Sequence, residues 1–574
     1  MTVDAVLTAA DASSFLARAN ARMLDVSIEA DRAAWAQATH ITAETEEFAA
    51  DRQADKVSAT MELAAEAARF ERTVLPDDLA RQLSLIKLAV RLPGPRAVEA
   101  QVELTRTVAA LEAQFGKGRY DGRDLGELSV VMAERRDPDA LLDAWRGWRT
   151  VAPPMREPFA RYVALANRGA RDLGFADLGA LWRSGYDMAA ADFAAEMDRL
   201  WLQIKPLYDA LHAYTRAGLG RAYGQGAVAA GGLIPAHLLG NMWSDSWGNV
   251  YPLLATAGRA EGVDLTSLLR ARDVDPVEMV RFGERFFTSL GFDPLPVSFW
   301  DRSLFTKPPD RDVMCHPTAW DIDADADLRL SMCIETTADD FMTVHHELGH
   351  HMYFRAYRDQ PFLYRDGAND GFHEAIGEAI TLSMTPGYLR EVGLLDEEPA
   401  DGQDVPLLLR TALDRVPYLA FGLALDKWRW KVFSGEVTPA DYNAAWWDLA
   451  RTYQRIAPPV PRSESDFDAA AKYHVAANVP VVPYCIALIL QFQFHRAFAR
   501  ASGFTGPLHR FSVYGDRSAG EKLDAMLAMG RSRPWPEALF ALTGEREMDP
   551  TALLEYFAPL QRWLEEQNSG HVVA

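Results

Sequence analysis

The sequence predicts a mainly α-helical protein with a small β element beside a metal-binding helix. Three observations carry this. The N-terminal part is rich in Ala, Glu, Asp and Arg punctuated by apolar residues, the composition of amphipathic helices. Strand signals are few and short. One segment, FMTVHHELGHHMYF, sets two histidines four positions apart, which on a helix places both on one face.

The helical reading begins at Ser27–Phe70, where Trp35, Phe48, Met61 and Leu63 punctuate long, solvent-facing amphipathic helices that form a surface lid or wall. Leu79–Val90 and Ala97–Phe115 continue the pattern, separated by Pro93, Gly94 and Pro95. Arg311–Trp320 and Leu328–Glu335 are the strand candidates, and the acidic turn DIDADAD between them allows a hairpin. The tail Asn568–Ala574 is small and polar and is expected to fray. No repeat and no Gly/Ser linker divides the chain, so residues 1–574 are read as a single domain. Within it, lid helices occupy about 5–115 and the metal-binding core about 311–490.

Composition narrows the function. With 574 residues, 49% apolar and 10% aromatic, the chain can bury a large core and is not disordered. Its net charge of −22 argues against nucleic acid and anionic lipid as partners. The longest apolar run, Val479–Leu490, contains Pro480 and Pro483 and is too short to span a bilayer, so no membrane segment is expected. The opening residues MTVDAVLTAADASSF lack a basic start followed by an apolar stretch. The protein is therefore expected to be periplasmic or secreted if a leader was removed, and otherwise cytoplasmic. Three cysteines exclude a disulfide scaffold but not one bridge.

The chemistry concentrates at His346-Glu347-Leu348-Gly349-His350. His346 and His350 can offer two imidazoles to one Zn²⁺, with Glu347 beside them to act on the bound water. His345 and His351 point to other faces and read as packed histidines. A third ligand is needed and a fourth position must stay open. The offsets at which a metzincin carries Gly and then His hold Tyr353 and Ala356, so that class fails. Glu374 lies 24 residues beyond His350, at the start of a second helical segment, GFHEAIGEAITLS. Glu378, one turn on, can fix the tautomer of a ligand histidine. A zinc held by His, His and Glu, with a glutamate general base, suits hydrolysis of a peptide bond.

The segments IPAHLLGNMW, MCHPTAWDI, HHELGHHMYF, GANDGFHEAIGE, KWRWKVFSGEVT, QFQFHRAF and SRPWPEAL carry a resemblance to the angiotensin-converting-enzyme family of zinc peptidases, peptidyl-dipeptidase A and its carboxypeptidase relative. With further matches it extends from about residue 15 to 565. The resemblance implies a helical ellipsoid of two lobes around a deep central cleft, with a lid that admits short peptides. It implies zinc held by His346, His350 and Glu374, with Glu347 as general base and acid. It also implies His474 and Tyr484 as donors to the tetrahedral intermediate, and His316 and Ala319 as substrate contacts. Cys315 and Cys333 match the family's bridged pair. Cys485 is expected to be a buried free thiol.

The chain departs from the family at two places. Where dipeptide-releasing members hold the substrate's terminal carboxylate with Gln, Lys and Tyr, this sequence has Asp245, Lys472 and Val481. Asp245 would repel that carboxylate unless Lys472 neutralises it. Of the chloride-binding positions Arg183, Trp446 and Tyr208 match, but two arginines are replaced by Ala450 and Pro483. Chloride dependence is therefore expected to be weak or absent. Three readings remain: a dipeptide-releasing exopeptidase, which leads; a single-residue carboxypeptidase; and a peptide-binding protein that keeps the fold without catalysis.

Overall fold

The computed structural model describes residues 7–228, 232–254, 263–398 and 404–569. Helices dominate. Among the described residues the strands amount to two small pairs. The expected hairpin exists but is shorter than the sequence suggests: Thr318–Asp321 pairs antiparallel with Leu328–Ser331, Ala319 opposite Leu330. A second pair, Ile234–Pro235 with Ile456–Ala457, is parallel and only two residues long.

The stretch Ser27–Phe70 falls within two antiparallel-lying helices, Ala9–Thr39 and Ala43–Ala67, each opened by a threonine capping box, Thr8 with Asp11 and Thr42 with Thr45. With Asp77–Leu88 they bury Phe15, Leu16, Phe70, Leu83 and Ile86 in a cluster of their own. That packing unit ends at Val90, whereas the next helix, Val98–Gly116, places Leu104, Leu111 and Phe115 in the main core. The end of the first helix is tied to the loop before the hairpin: Met314 N–H donates to the Ala38 carbonyl (2.7 Å) and Ile41 N–H to that of Asp312 (3.0 Å). Trp35 meets Trp320 edge to face.

The main core is organised by two long apolar helices, Asp404–Ser434 and Val482–Ala501. Rings of Phe159, Tyr162, Trp428, Tyr442 and Phe467 interlock on the former. Proline at the start of Val482–Ala501 suits a helix N-terminus, where its missing N–H would have no partner in any case. No helix among the described residues is long and apolar enough to cross a membrane. The last helix runs to Ser569, and residues 570–574 of the tail lie outside the described residues.

Candidate active site

The helix Ala338–Tyr357 carries the histidine pair, capped by Thr337 and started by Asp339 and Asp340, which favour its N-terminus. A second helix, Phe372–Thr381, crosses it. Glycines allow the crossing. A side chain at Gly349 would meet the Cα of Gly377 at 3.3 Å, and one at Gly377 would meet the His346 ring at 2.5 Å. The imidazole of His346 thus lies against bare backbone, and Glu374, one turn earlier, reaches it from the side.

The resulting geometry is compact. His346 Nε2 and His350 Nε2 face each other at 3.1 Å, and His346 Nε2 lies 3.5 Å from Glu374 Oε2. Ligands on a tetrahedral zinc with bonds near 2.0–2.1 Å are separated by about 3.3 Å, so the two imidazoles, with the Glu374 carboxylate beside His346, suit the ion in chemistry and spacing. Glu347 offers a further carboxylate within 4.8 Å of both histidines. Glu347 is buried, which raises its pKa, and His346, then the Ala319 backbone and His316, pull it partly back, while Glu374 adds to the rise. The hairpin thus reaches Glu347 through Ala319. Burial pulls His350 well below its ordinary pKa. For His346 burial is outweighed by Glu374, Glu378 and Glu347, which raise it.

The groups around these donors are ordered. Glu378 lies 3.8 Å from His346 Nδ1, an electrostatic rather than hydrogen-bonding distance, and its close partner is Arg415, which also donates to Gln491 (2.6 Å). His350 Nδ1 faces His373 Nδ1 at 3.3 Å. The flanking histidines are buried: His345 approaches the Phe341 carbonyl (2.7 Å), and His351 the carbonyls of Glu347 and Arg329 (3.0 and 2.9 Å). His351 thereby links the histidine helix to the hairpin. Cys315 and Cys333 are joined in a disulfide with Cα atoms 4.9 Å apart, closing the segment that carries exposed His316. Cys485 is a buried free thiol.

His474 and Tyr484 lie ring to ring with centroids 6.2 Å apart. Burial, with Lys472 and Arg429 nearby, lowers His474 to about 3, so it is neutral at physiological pH, and its buried Nδ1 has no partner within the protein. Burial and the Glu374 carboxylate raise Tyr484, which keeps its proton. Asp245 and Lys472 form a buried ion pair at 2.7 Å, with the ammonium 3.9 Å from the centre of the Trp243 ring. Val481 is buried. At the chloride positions, the Tyr208 hydroxyl donates to the Gln454 carbonyl (2.5 Å) and Arg183 to the Gly179 carbonyl (3.0 Å), while Trp446, Ala450 and Pro483 are buried.

The family model described as angiotensin-converting enzyme matches residues 6–574. The chain belongs to the angiotensin-converting enzyme family. It is 42% identical to the angiotensin-converting enzyme of Mus musculus over 449 residues, 78% of this chain and 34% of that protein. It is 36% identical to that of Oryctolagus cuniculus over 579 residues, 99% of this chain and 44% of the relative. With the protein of the same name from Haematobia irritans exigua it shares 38% identity over 553 residues, 92% and 90% of the two chains. This family member thus covers less than half the length of those two mammalian relatives and most of the Haematobia irritans exigua protein.

The sequence reading missed the two glycines at the helix crossing, because glycine inside a helix reads as a propensity defect. It also missed the Asp426–Arg429 pair, whose partners are backbone groups some fifty residues away.

Proposed function

We propose that the protein is a zinc-dependent exopeptidase that hydrolyses short peptides near their C-terminus, releasing dipeptides. The observation that carries this reading is the cluster of His346, Glu347 and His350, with Glu374 3.5 Å from His346. His346, His350 and Glu374 would hold the ion, which when bound supplies a Lewis acid and a water of lowered pKa. Glu347, its pKa raised by burial, is suited to accept a proton from the attacking water and return it to the leaving amine. Neutral His474 and protonated Tyr484 would donate to the oxyanion that develops on the peptide carbonyl. His316 and the Ala319 backbone would hold the substrate along the hairpin edge.

The Asp245–Lys472 pair supports a refinement. The lysine that would grip a terminal carboxylate already has a buried carboxylate at 2.7 Å, so a free C-terminus gains little there. Peptides with a blocked or basic C-terminus should then be accepted as well as free acids, and Asp245→Gln should restore a preference for the free acid. An unchanged preference would remove this point. The arginine losses at Ala450 and Pro483 support activity with little response to chloride beyond a sulfate control.

The test of the main reading is a peptide ladder analysed by mass spectrometry, with Glu347→Gln as control. Loss of two residues at a time is expected. Loss of one selects the carboxypeptidase reading, and no loss with zinc bound selects a binding protein.

A further inference from the structure

One buried ion pair does more than fill space. Asp426 and Arg429 lie one turn apart on the long helix Asp404–Ser434 and are 0% and 1% exposed. Arg429 Nε donates to Asp426 Oδ1 (3.0 Å), and its Nη2 binds the same oxygen. Both groups then turn to a single segment of main chain. Arg429 Nη1 donates to the carbonyls of His474 (2.9 Å) and Val479 (2.6 Å). Asp426 Oδ2 accepts from the amides of Val481 (2.9 Å) and Val482 (2.6 Å), where the helix carrying Tyr484 begins. Four backbone groups between His474 and Tyr484 are thus held by one pair of side chains.

Within that segment Val479 N–H closes a turn on the His474 carbonyl (2.9 Å), and the side chains of Val481 and Val482 are buried. Between the single turn Tyr473–Ala476 and the helix starting at Val482 it contains Asn478 in the left-handed region (φ 58°) and Pro480. The Asn478 side chain is bound by the hydroxyl of buried Tyr162. An apolar pair of equal volume could stabilise the core as well as a buried ion pair does, but it would strip the Val479 carbonyl and the amides of Val481 and Val482 of these bonds, and leave the His474 carbonyl only that from Val479 N–H (2.9 Å). What the charged pair uniquely provides is the location of these backbone groups.

We propose that Asp426 and Arg429 are positioning residues for hydrolysis: they fix the His474–Tyr484 segment so that both donors reach the oxyanion. The inference rests on the assignment of His474 and Tyr484 as those donors. Misplacing an oriented group by about 1 Å can cost 100-fold in rate, so the pair acts on turnover more than on binding.

The test compares wild type, Arg429→Lys and Asp426→Asn, each repeated in a His474→Ala/Tyr484→Phe background. Lysine keeps the charge but loses the fork that spans a carboxylate and two carbonyls. Arg429→Lys is expected to lower kcat 10- to 100-fold with KM within threefold, to keep one zinc per chain, and to bind a small hydroxamate as wild type does. In the background lacking both donors it should lower the residual rate less than threefold. A kcat within twofold of wild type, a change confined to KM, or an equal loss in the donor-less background would overturn the proposal. Should Arg429→Lys not fold, Asp426→Asn with Arg429→Gln leaves no unpaired charge and carries the same comparison. If that does not fold either, the pair serves stability first and the proposal falls. The two readings fail separately: an inactive wild type with zinc bound sinks the peptidase assignment. An active wild type that needs His474 and Tyr484 but tolerates Arg429→Lys sinks only this one.

Discussion

Replacing Gly377 by alanine tests whether helix proximity, rather than ligand identity alone, sets the metal site. The new methyl would lie 2.5 Å from His346 Nδ1 and 2.7 Å from its Cε1 and Cγ, against an ordinary contact of 3.4–4 Å. The ring, or the whole helix, must retreat by about 1 Å. Two terms oppose each other in stability. Alanine gains roughly 1 kcal/mol over glycine inside a helix, and overpacking costs about 1–3 kcal/mol. The net is a loss of about 0–2 kcal/mol, small enough for the protein to remain folded. Zinc binding has no compensating gain, because the displaced ring is itself a proposed ligand. By analogy with the loss of groups that orient metal ligands, affinity should fall about 10- to 100-fold. The assay is competition with a chelator of known affinity, alongside chemical denaturation of the metal-free protein. Gly349→Ala serves as the comparison, since its methyl meets the Gly377 backbone at 3.3 Å and not the ring. Wild-type zinc affinity in Gly377→Ala would refute the reasoning.

Three further outcomes are expected. Asp321 is raised to about 7 by burial and by Asp323 and Asp31, so its favourable contribution is present at low pH and is lost as pH rises through 7. Asp321→Asn should therefore add about 1–3 kcal/mol at pH 8 and almost nothing at pH 4 in denaturation experiments; an equal gain at both would contradict this. Cys333→Ser should cost about 3 kcal/mol, given the 18-residue separation it leaves open, and reductant should do the same to wild type but not to the variant. Glu347→Gln should retain zinc while losing at least about 100-fold in kcat, measured on the peptide that wild type cleaves best; retention of activity would remove Glu347 as the base.

Much of the site is legible in the sequence because its period coincides with that of the helix. Four-residue spacing alone puts His346 and His350 on one face, and the helix beginning at Phe372 brings Glu374 to them. The hairpin is legible from its acidic turn, although the paired part covers only four residues on each side, since the flanking residues pair with other elements or none. What stays hidden depends on long-range approach. Ile234–Pro235 beside Ile456–Ala457 is too short for any alternation to mark it. The pairing of Asp245 with Lys472 spans 227 positions, and the sequence raises it only through the family resemblance, not through spacing. Glu378 is expected to accept a hydrogen bond from a ligand histidine; it lies 3.8 Å from His346 Nδ1, and Arg415, from a distant helix, holds it more closely.

The first three helices keep their apolar side chains in clusters of their own, joined to the rest near Asp312 and Leu363 and through Arg81, which pairs with Asp187 and donates to the Arg531 and Arg533 carbonyls. Separate oil droplets need not melt together. Amides from Ala9 to Leu88 should exchange with solvent through openings that leave the histidine helix shut.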